Sequence, residues 1–196
     1  MKALLSVSTA IDRALSWLGR LVAWLIVAAI VISAANAIVR KLFDVSSNAW
    51  LEAQWLLFGI VFLLCSPWTL LSNEHIRIDI VNNQFSRGVR NAIEIIGHVL
   101  FLLPVAAVII YTSVPFFLSS YRLNEQSSNA GGLPQWPAKL IIPLGFALLF
   151  IQGISELIKR IAIIRGDLED VQAGDHHTSI EAEAQRLVEE LETKPN

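Results

Sequence analysis

Four long runs without charged side chains divide this chain. They cover residues 21–39, 53–73, 95–121 and 140–155 and contain no Asp, Glu, Lys or Arg. A helix needs about 20 apolar residues to cross the roughly 30 Å of hydrocarbon in a bilayer. The first three runs have this length, and the flanking Lys139 and Lys159 extend the fourth because their apolar stems reach the interface. The chain is therefore predicted to cross a membrane four times.

The four crossings are predicted to be helices. In lipid, every backbone polar group must be hydrogen-bonded within the protein, which only helices and closed barrels achieve. The runs lack the strict alternation of apolar and polar residues that a barrel strand shows. The predicted fold class is an all-α membrane protein whose transmembrane domain covers residues 21–165. Its four spans are placed at about residues 21–39, 51–71, 92–118 and 137–158.

The segments on either side of this domain differ from it. Residues 1–20 are predicted to be an amphipathic helix at the membrane interface, with a simple extension of the first span as the alternative. Their apolar positions recur three and four residues apart: Leu4, Val7, Ile11, Leu15 and Leu18. Residues 166–196 form a polar, acidic tail. In it, Thr178 and Glu181 fit a capping box before a short helix predicted at about residues 179–192.

Basic residues are distributed unevenly between the two sides of the predicted bundle. The two loops on one side hold four: Arg40, Lys41, Arg122 and Lys139. The N-terminal flank, the middle loop and the start of the tail hold nine: Lys2, Arg13, Arg20, Arg77, Arg87, Arg90, Lys159, Arg160 and Arg165. Because Lys and Arg accumulate on the cytoplasmic side of membrane proteins, both termini are predicted to lie in the cytoplasm.

The composition argues against several classes of function. Charged residues make up 16% of the chain, against about a quarter in soluble domains, and the net charge of −2 gives no nucleic-acid signal. Cys65 is the single cysteine, so no intrachain disulfide can form. No P-loop, nucleophile elbow or Cys/His metal spacing is present. The chain is therefore predicted not to be an enzyme and to have no catalytic, cofactor or metal site.

His98 is the one histidine in the four runs, which contain no Asp, Glu, Lys or Arg. Two interpretations are open, a proton or ion site and a hydrogen bond in helix packing, and the second is favoured. Transport cores usually place charges or broken helices near the middle of the membrane. Since these runs lack both signals, the four-helix body is not expected to carry a solute by itself.

Polar and aromatic residues gather where the runs end. Trp50 and Glu52 open the second span. Glu52 fits the positive end of a helix dipole, and contact with a Lys or Arg of another subunit is the alternative. After this span, His75, Arg77 and Asp79 alternate with isoleucines, which places them on one side of an extended segment. This trio suits a partner's carboxylate or backbone carbonyl, and a basic loop with a helix cap is the alternative.

Three motifs together resemble the small membrane subunit, of the DctQ type, of tripartite ATP-independent periplasmic (TRAP) transporters. They occur in order over about residues 20–160: Asn48-Ala-Trp50-Leu-Glu52, His75-Ile-Arg77-Ile-Asp79, and Leu133-Pro134-Gln-Trp136-Pro137 with Ile142-Pro143-Leu-Gly145-Phe146. In this family a second acidic residue often follows the first glutamate. Here the neighbours of Glu52 are Ala53 and Gln54 instead.

The resemblance implies a supporting role in transport across the bacterial inner membrane. In such systems a periplasmic solute-binding protein delivers an organic acid, and the large membrane subunit holds the substrate and sodium sites. The small subunit, without a cofactor, would steady the large one and contact the binding protein and membrane lipids. Candidate interface residues are Trp50, Glu52, His75, Arg77, Asp79, Trp136 and Pro143. An independent four-helix channel or carrier, or an accessory subunit of another complex, is the alternative.

Overall fold

The computed structural model describes residues 2–45, 47–72 and 87–168. Regular structure in this part of the chain is helical apart from one isolated bridge between Gln126 and Pro134. A π-helical segment, Gly97–Leu102, lies between the α-helices Arg87–Ile96 and Leu103–Arg122. The α-helices are α1 (Lys2–Ala23), α2 (Leu25–Phe43), α3 (Asn48–Leu71), α4 (Arg87–Ile96), α5 (Leu103–Arg122) and α6 (Trp136–Ile164).

Four helical stretches are long and apolar enough to cross a membrane. They are Lys2–Phe43, Asn48–Leu71, Asn91–Arg122 and Trp136–Ile164. The first joins α1 and α2 through a turn at Trp24, and the third combines the end of α4, the π-helical segment and α5. The prediction of a helical protein with four membrane-length helices is confirmed. The orientation with both termini inside stays a prediction.

The chain forms two compact units, residues 1–160 and residues 161–196. In the described part of the second unit, α6 ends in a Schellman motif. Gly166, at φ +77°, donates its N–H to the Ile163 carbonyl at 3.0 Å. The N–H of Asp167 donates to the Ala162 carbonyl at 2.9 Å. The tail helix predicted at about residues 179–192 lies outside the described residues.

The interior of the first unit holds mostly small and polar side chains, with a few larger apolar ones such as Leu15 and Ile141. Five buried positions recur at seven-residue intervals along α1 and α2: Ser8, Leu15, Val22, Ala29 and Asn36. Three more follow the same interval along α5: Ala106, Ser113 and Ser120. This interval keeps side chains on one side of a helix that packs against its neighbours. Large apolar side chains such as Phe62 and Phe101 point outward instead. Because lipid does not penalise exposed apolar surface, such helices associate through close packing of small residues.

The N-terminal segment is helical, and its predicted apolar stripe is buried over only part of its length, where Leu15 is 6% exposed. Leu4 and Val7 are 51% and 54% exposed, whereas Ser8 and Gly19 are buried. At Gly19, the backbone carbonyl accepts a hydrogen bond from the Cys65 thiol of α3 at 3.5 Å. α1 therefore packs on the bundle through a mixed set of small, polar and apolar residues: Ser8, Leu15, Gly19 and Val22. Its position at the membrane interface stays a prediction.

α6 approaches α3 closely at Gly145. A Cβ atom at this position would lie 2.9 Å from Cβ of Leu63 and 3.1 Å from its backbone oxygen. Both Gly145 and Pro143, two residues earlier, are buried. Since a contact with backbone cannot be relieved by a rotamer change, only glycine allows this approach.

We expect Gly145→Ala to destabilise the protein by about 1–3 kcal/mol, the usual cost of overpacking a well-packed interior. The thermal unfolding midpoint in detergent measures this. Gly59→Ala is the matched control, because a Cβ at Gly59 in α3 meets nothing within 4 Å. Equal midpoints for the two variants would contradict the close approach.

Candidate functional site

The polar side chains of the first unit concentrate at two levels of the bundle. Lys139 and Lys159 mark these levels on α6 and are 20 positions apart in the sequence. At about 1.5 Å per residue, they are separated by roughly 30 Å, the thickness of the hydrocarbon layer. Each lysine belongs to a group of hydrogen-bonded side chains. We call these groups the Glu52 cluster, made of Glu52, Glu125, Ser127, Asn129 and Lys139, and the Asp12 cluster, made of Ser8, Asp12, Gln152, Ser155, Glu156 and Lys159.

In the Glu52 cluster, a carboxylate at the start of α3 holds the loop formed by residues 123–135. Its Oε1 accepts hydrogen bonds from the Ser127 hydroxyl and, at 2.8 Å, from the Asn129 carboxamide. Its Oε2 accepts the backbone N–H of Leu133 at 2.6 Å. A carboxylate has about four acceptor positions, and three are used here. Glu52 therefore joins α3 to a loop that follows it by more than 70 residues.

The same loop is tied to α3 and to itself at further points. Asn48 donates from its carboxamide to the Ala130 carbonyl at 2.9 Å, and the N–H of Ser127 donates to the Leu133 carbonyl at 3.2 Å. A Cβ at Gly132 would lie 2.7 Å from Oε1 of Glu52. The loop thus closes tightly around the carboxylate and leaves no space for a larger residue at position 132.

An ion pair between Glu125 and Lys139 connects the loop to α6. The Lys139 ammonium also lies 4.1 Å from the centre of the Phe116 ring, a cation–π contact that joins α5. The Lys139 ammonium holds the pKa of the Glu125 carboxyl below its usual value, because it stabilises the charged form. Beside this pair, the rings of Tyr121 and Trp136 make an edge-to-face contact at 5.5 Å.

A cavity of about 510 Å³ opens beside the Glu52 cluster, between α3, α6 and the 123–135 loop. Its volume is in the range of small-molecule sites. The described residues that line it include no Lys or Arg, so this part of the chain gives an organic anion no counter-charge there. Its lining combines apolar residues with a polar rim: Trp55, Leu56, Leu63 and Ile141, and Gln126, Ser128, Asn129 and Gln135.

The Asp12 cluster joins α1 to α6. The Asp12 carboxylate accepts from Gln152 at 2.9 Å, from Ser155 at 2.9 Å and from Lys159 at 3.0 Å. One turn earlier in α1, the hydroxyl oxygen of Ser8 lies 2.7 Å from that of Ser155. Lys159 also pairs with Glu156 at 2.5 Å. The Asp12–Lys159 pair is largely buried, so the loss of either charge would leave the other without compensation.

A second ion pair at this level joins α4 to α6. Arg160 pairs with Glu94 and also donates to the Asn91 side chain at 3.3 Å. Among the described side chains, no group of three or more His, Cys, Asp or Glu residues is arranged to hold a metal ion. The two clusters therefore connect helices of this chain to one another. Their geometry is structural rather than catalytic.

The structure places the predicted site residues in different surroundings. Trp50 is 43% exposed in the first turn of α3, Trp136 opens α6, and Pro143 is buried inside the unit. Glu52 is bonded within its own chain. His75, Arg77 and Asp79 lie outside the described residues. For all seven candidate interface residues, a role in contacting a partner stays a prediction.

Sequence reasoning missed the residues that complete the two clusters. Ser127 and Asn129 looked like ordinary loop residues, and Asp12 looked like a residue on the polar side of an amphipathic helix. The position of Gln152 did indicate a buried contact. It lies within a charge-free run, where its side chain needs a hydrogen-bond partner because lipid supplies none. The spacing in the sequence does not indicate which partner it takes.

The fold and these clusters define a multi-pass membrane protein whose charged groups connect its own helices at the span ends. The family model for the DctQ component of tripartite ATP-independent periplasmic transporters matches residues 29–162. The chain belongs to this family, and it is a small membrane subunit of a TRAP transporter and not an enzyme. No curated protein matches the chain. Family membership implies a system with a large membrane subunit and a periplasmic binding protein.

We expect Ser127→Ala to loosen the 123–135 loop because it removes one of the donors to Glu52. Hydrogen exchange at the Leu133 amide should become faster, and protease cleavage in the loop should increase. Glu52→Ala should have a larger effect because all three donors lose their acceptor. Ser128→Ala is the matched control, since Ser128 is exposed and does not bond to Glu52. Identical exchange in the two serine variants would refute the role of Glu52.

The Glu125–Lys139 pair should stabilise the protein in a pH-dependent way. Because the folded-state pKa of Glu125 lies below its ordinary value, the contribution is complete above that ordinary value. It is lost as the pH falls through the lowered pKa. The unfolding midpoint of the parent should therefore exceed that of Glu125→Gln at neutral pH, and the difference should shrink in acid. A difference that is constant with pH would contradict the ion pair.

Proposed function

We propose that this chain is the stationary support of the large membrane subunit in a TRAP transporter. The transporter would take up an organic acid in a sodium-driven reaction that depends on the binding protein. In this proposal, the substrate and sodium sites belong to the large subunit, and this chain needs no cofactor. Its location would be the bacterial inner membrane, with both termini in the cytoplasm.

The observation that carries the proposal is the absence of charge in the middle of the described spans. Each described membrane-length helix contains a long run without Asp, Glu, Lys or Arg, at residues 21–39, 53–71, 95–121 and 140–155. A sodium ion or an organic anion crossing the hydrocarbon needs compensating charges or exposed backbone dipoles on its path. The described charges lie toward the span ends, and the members of the two clusters are engaged with one another. The chain is thus poorly suited to carry the cargo itself.

The clusters also support a role as a rigid body. The Glu52 cluster connects α3, α5 and α6, and the Asp12 cluster connects α1 and α6. A subunit that steadies a moving partner must resist displacement of its own helices. Connections at both levels of the membrane provide this resistance for α1, α3, α5 and α6.

Partner contacts are proposed at the ends of the bundle and on its apolar sides. Trp50 is exposed beside the Glu52 cluster and suits a contact with another subunit. The predicted trio His75, Arg77 and Asp79 follows α3 in the sequence and is proposed to bind a partner at the cytoplasmic side. Membrane lipids would cover the outward-facing aromatic and aliphatic side chains that remain free.

The proposal predicts that transport requires this chain without passing through it. We expect proteoliposomes with the large subunit, this chain and the binding protein to accumulate the binding protein's organic acid under a sodium gradient. Omitting this chain should abolish uptake. The control is this chain alone, which should give neither flux nor conductance. Full uptake without the chain would refute the support role, and flux through the chain alone would favour an independent carrier.

A further inference from the structure

His98 has a hydrogen bond at only one ring nitrogen in the described structure. It is the second residue of the π-helical segment, and its Nδ1 lies 2.8 Å from the backbone carbonyl of Glu94. A carbonyl can only accept, so Nδ1 carries the hydrogen in this arrangement. In the neutral ring, Nε2 then presents a lone pair. Nε2 is buried and has no partner within the described residues.

A small cavity lies beside His98. It has a volume of about 20 Å³, and a volume of about 10–15 Å³ is enough for one water molecule. It is too small for an organic ligand. Its lining brings together α3, α4, the π-helical segment and α6: Leu70, Glu94, Ile95, His98, Glu156, Leu157 and Arg160.

The lining supplies the polar partners that a buried water requires. Glu156 uses Oε1 for both its bond from Gln152, at 2.9 Å, and its bond from Lys159, at 2.5 Å. Its Oε2 has no hydrogen bond from the described residues and can accept another hydrogen. Arg160 carries five N–H donors and lines the same cavity. Two acceptors and a donor around one water-sized space match the two to four bonds of buried waters in proteins.

The π-helical segment holds His98 against α6. π-Helical turns are rare and occur mostly as single insertions within α-helices, often at functional sites. At the end of this segment, Leu102 packs on Gly153 of α6, where a Cβ would lie 2.9 Å from a Leu102 methyl carbon. This contact is one turn of α6 before Glu156. It keeps the His98 side of the cavity close to the Glu156 side.

We propose that this cavity binds one ordered water molecule that bridges His98 to α6. The water donates one hydrogen to His98 Nε2 and the other to the Glu156 carboxylate, and it accepts a hydrogen bond from Arg160. It connects the Glu94–Arg160 pair to the Asp12 cluster, so that one polar network extends from α1 through α6 to α4. This site does not depend on the proposed transport role.

Two measurements on the intact subunit test the site. In selectively 15N-labelled protein, His98 should show a protonated Nδ1 and an Nε2 signal shifted toward the protonated range by an accepted hydrogen bond. The His98→Gln variant assigns the signal, because it loses the His98 resonances and keeps those of His75, His176 and His177. An Nε2 signal typical of an unbonded acceptor, or of the Nε2–H tautomer, would overturn the proposal.

The second measurement is an electron cryomicroscopy map of the subunit in its membrane complex, at a resolution that shows other buried waters. We expect a single peak within hydrogen-bond distance of His98 Nε2, Glu156 and Arg160. The peak should be lost in His98→Leu, which removes the acceptor. A cavity that is empty, or occupied by a side chain from elsewhere in the complex, would overturn the water site even if Nδ1 carries the hydrogen.

Discussion

Hydrocarbon cannot solvate a polar group, and this constraint explains both the long charge-free runs and the bonded state of Glu52 and Asp12. Glu52 and Asp12 are acceptable near the membrane because each carboxylate receives three hydrogen bonds from its own chain. The same constraint reverses the usual arrangement of a globular protein. Small and polar residues such as Ser113 face the interior, and large apolar residues face outward.

This arrangement gives the subunit two stabilised levels and a middle layer held by close contacts. At the levels of Lys139 and Lys159, charged groups fix the helices in register. Between them, contacts such as Gly145 on Leu63 allow the backbones to approach. An apolar belt of this kind is compatible with both lipid and a partner helix. A body fixed at both levels and uncharged between them suits a subunit that supports transport rather than one that conducts the solute.

The sequence predicted the parts of the fold that depend on local composition. The thickness of the bilayer sets a length, so charge-free runs indicated all four membrane-length helices. The partners of Glu52 could not be predicted, because periodicity within α3 contains no information on a loop more than 70 residues later. The packing of α1 could not be predicted for a different reason. The amphipathic pattern of residues 1–20 does not indicate which positions contact the bundle, and in this structure the buried ones are Ser8, Leu15, Gly19 and Val22.

α6 is the element on which both levels depend. It contributes Lys139 to the Glu52 cluster and Gln152, Ser155 and Lys159 to the Asp12 cluster, and its buried Pro143 and Gly145 lie between them. A force applied at one level therefore reaches the other through a single continuous helix rather than through loops. For the proposed role as a stationary support, this is the mechanical property that matters. It follows from polar groups that the bilayer forces to find partners within the chain.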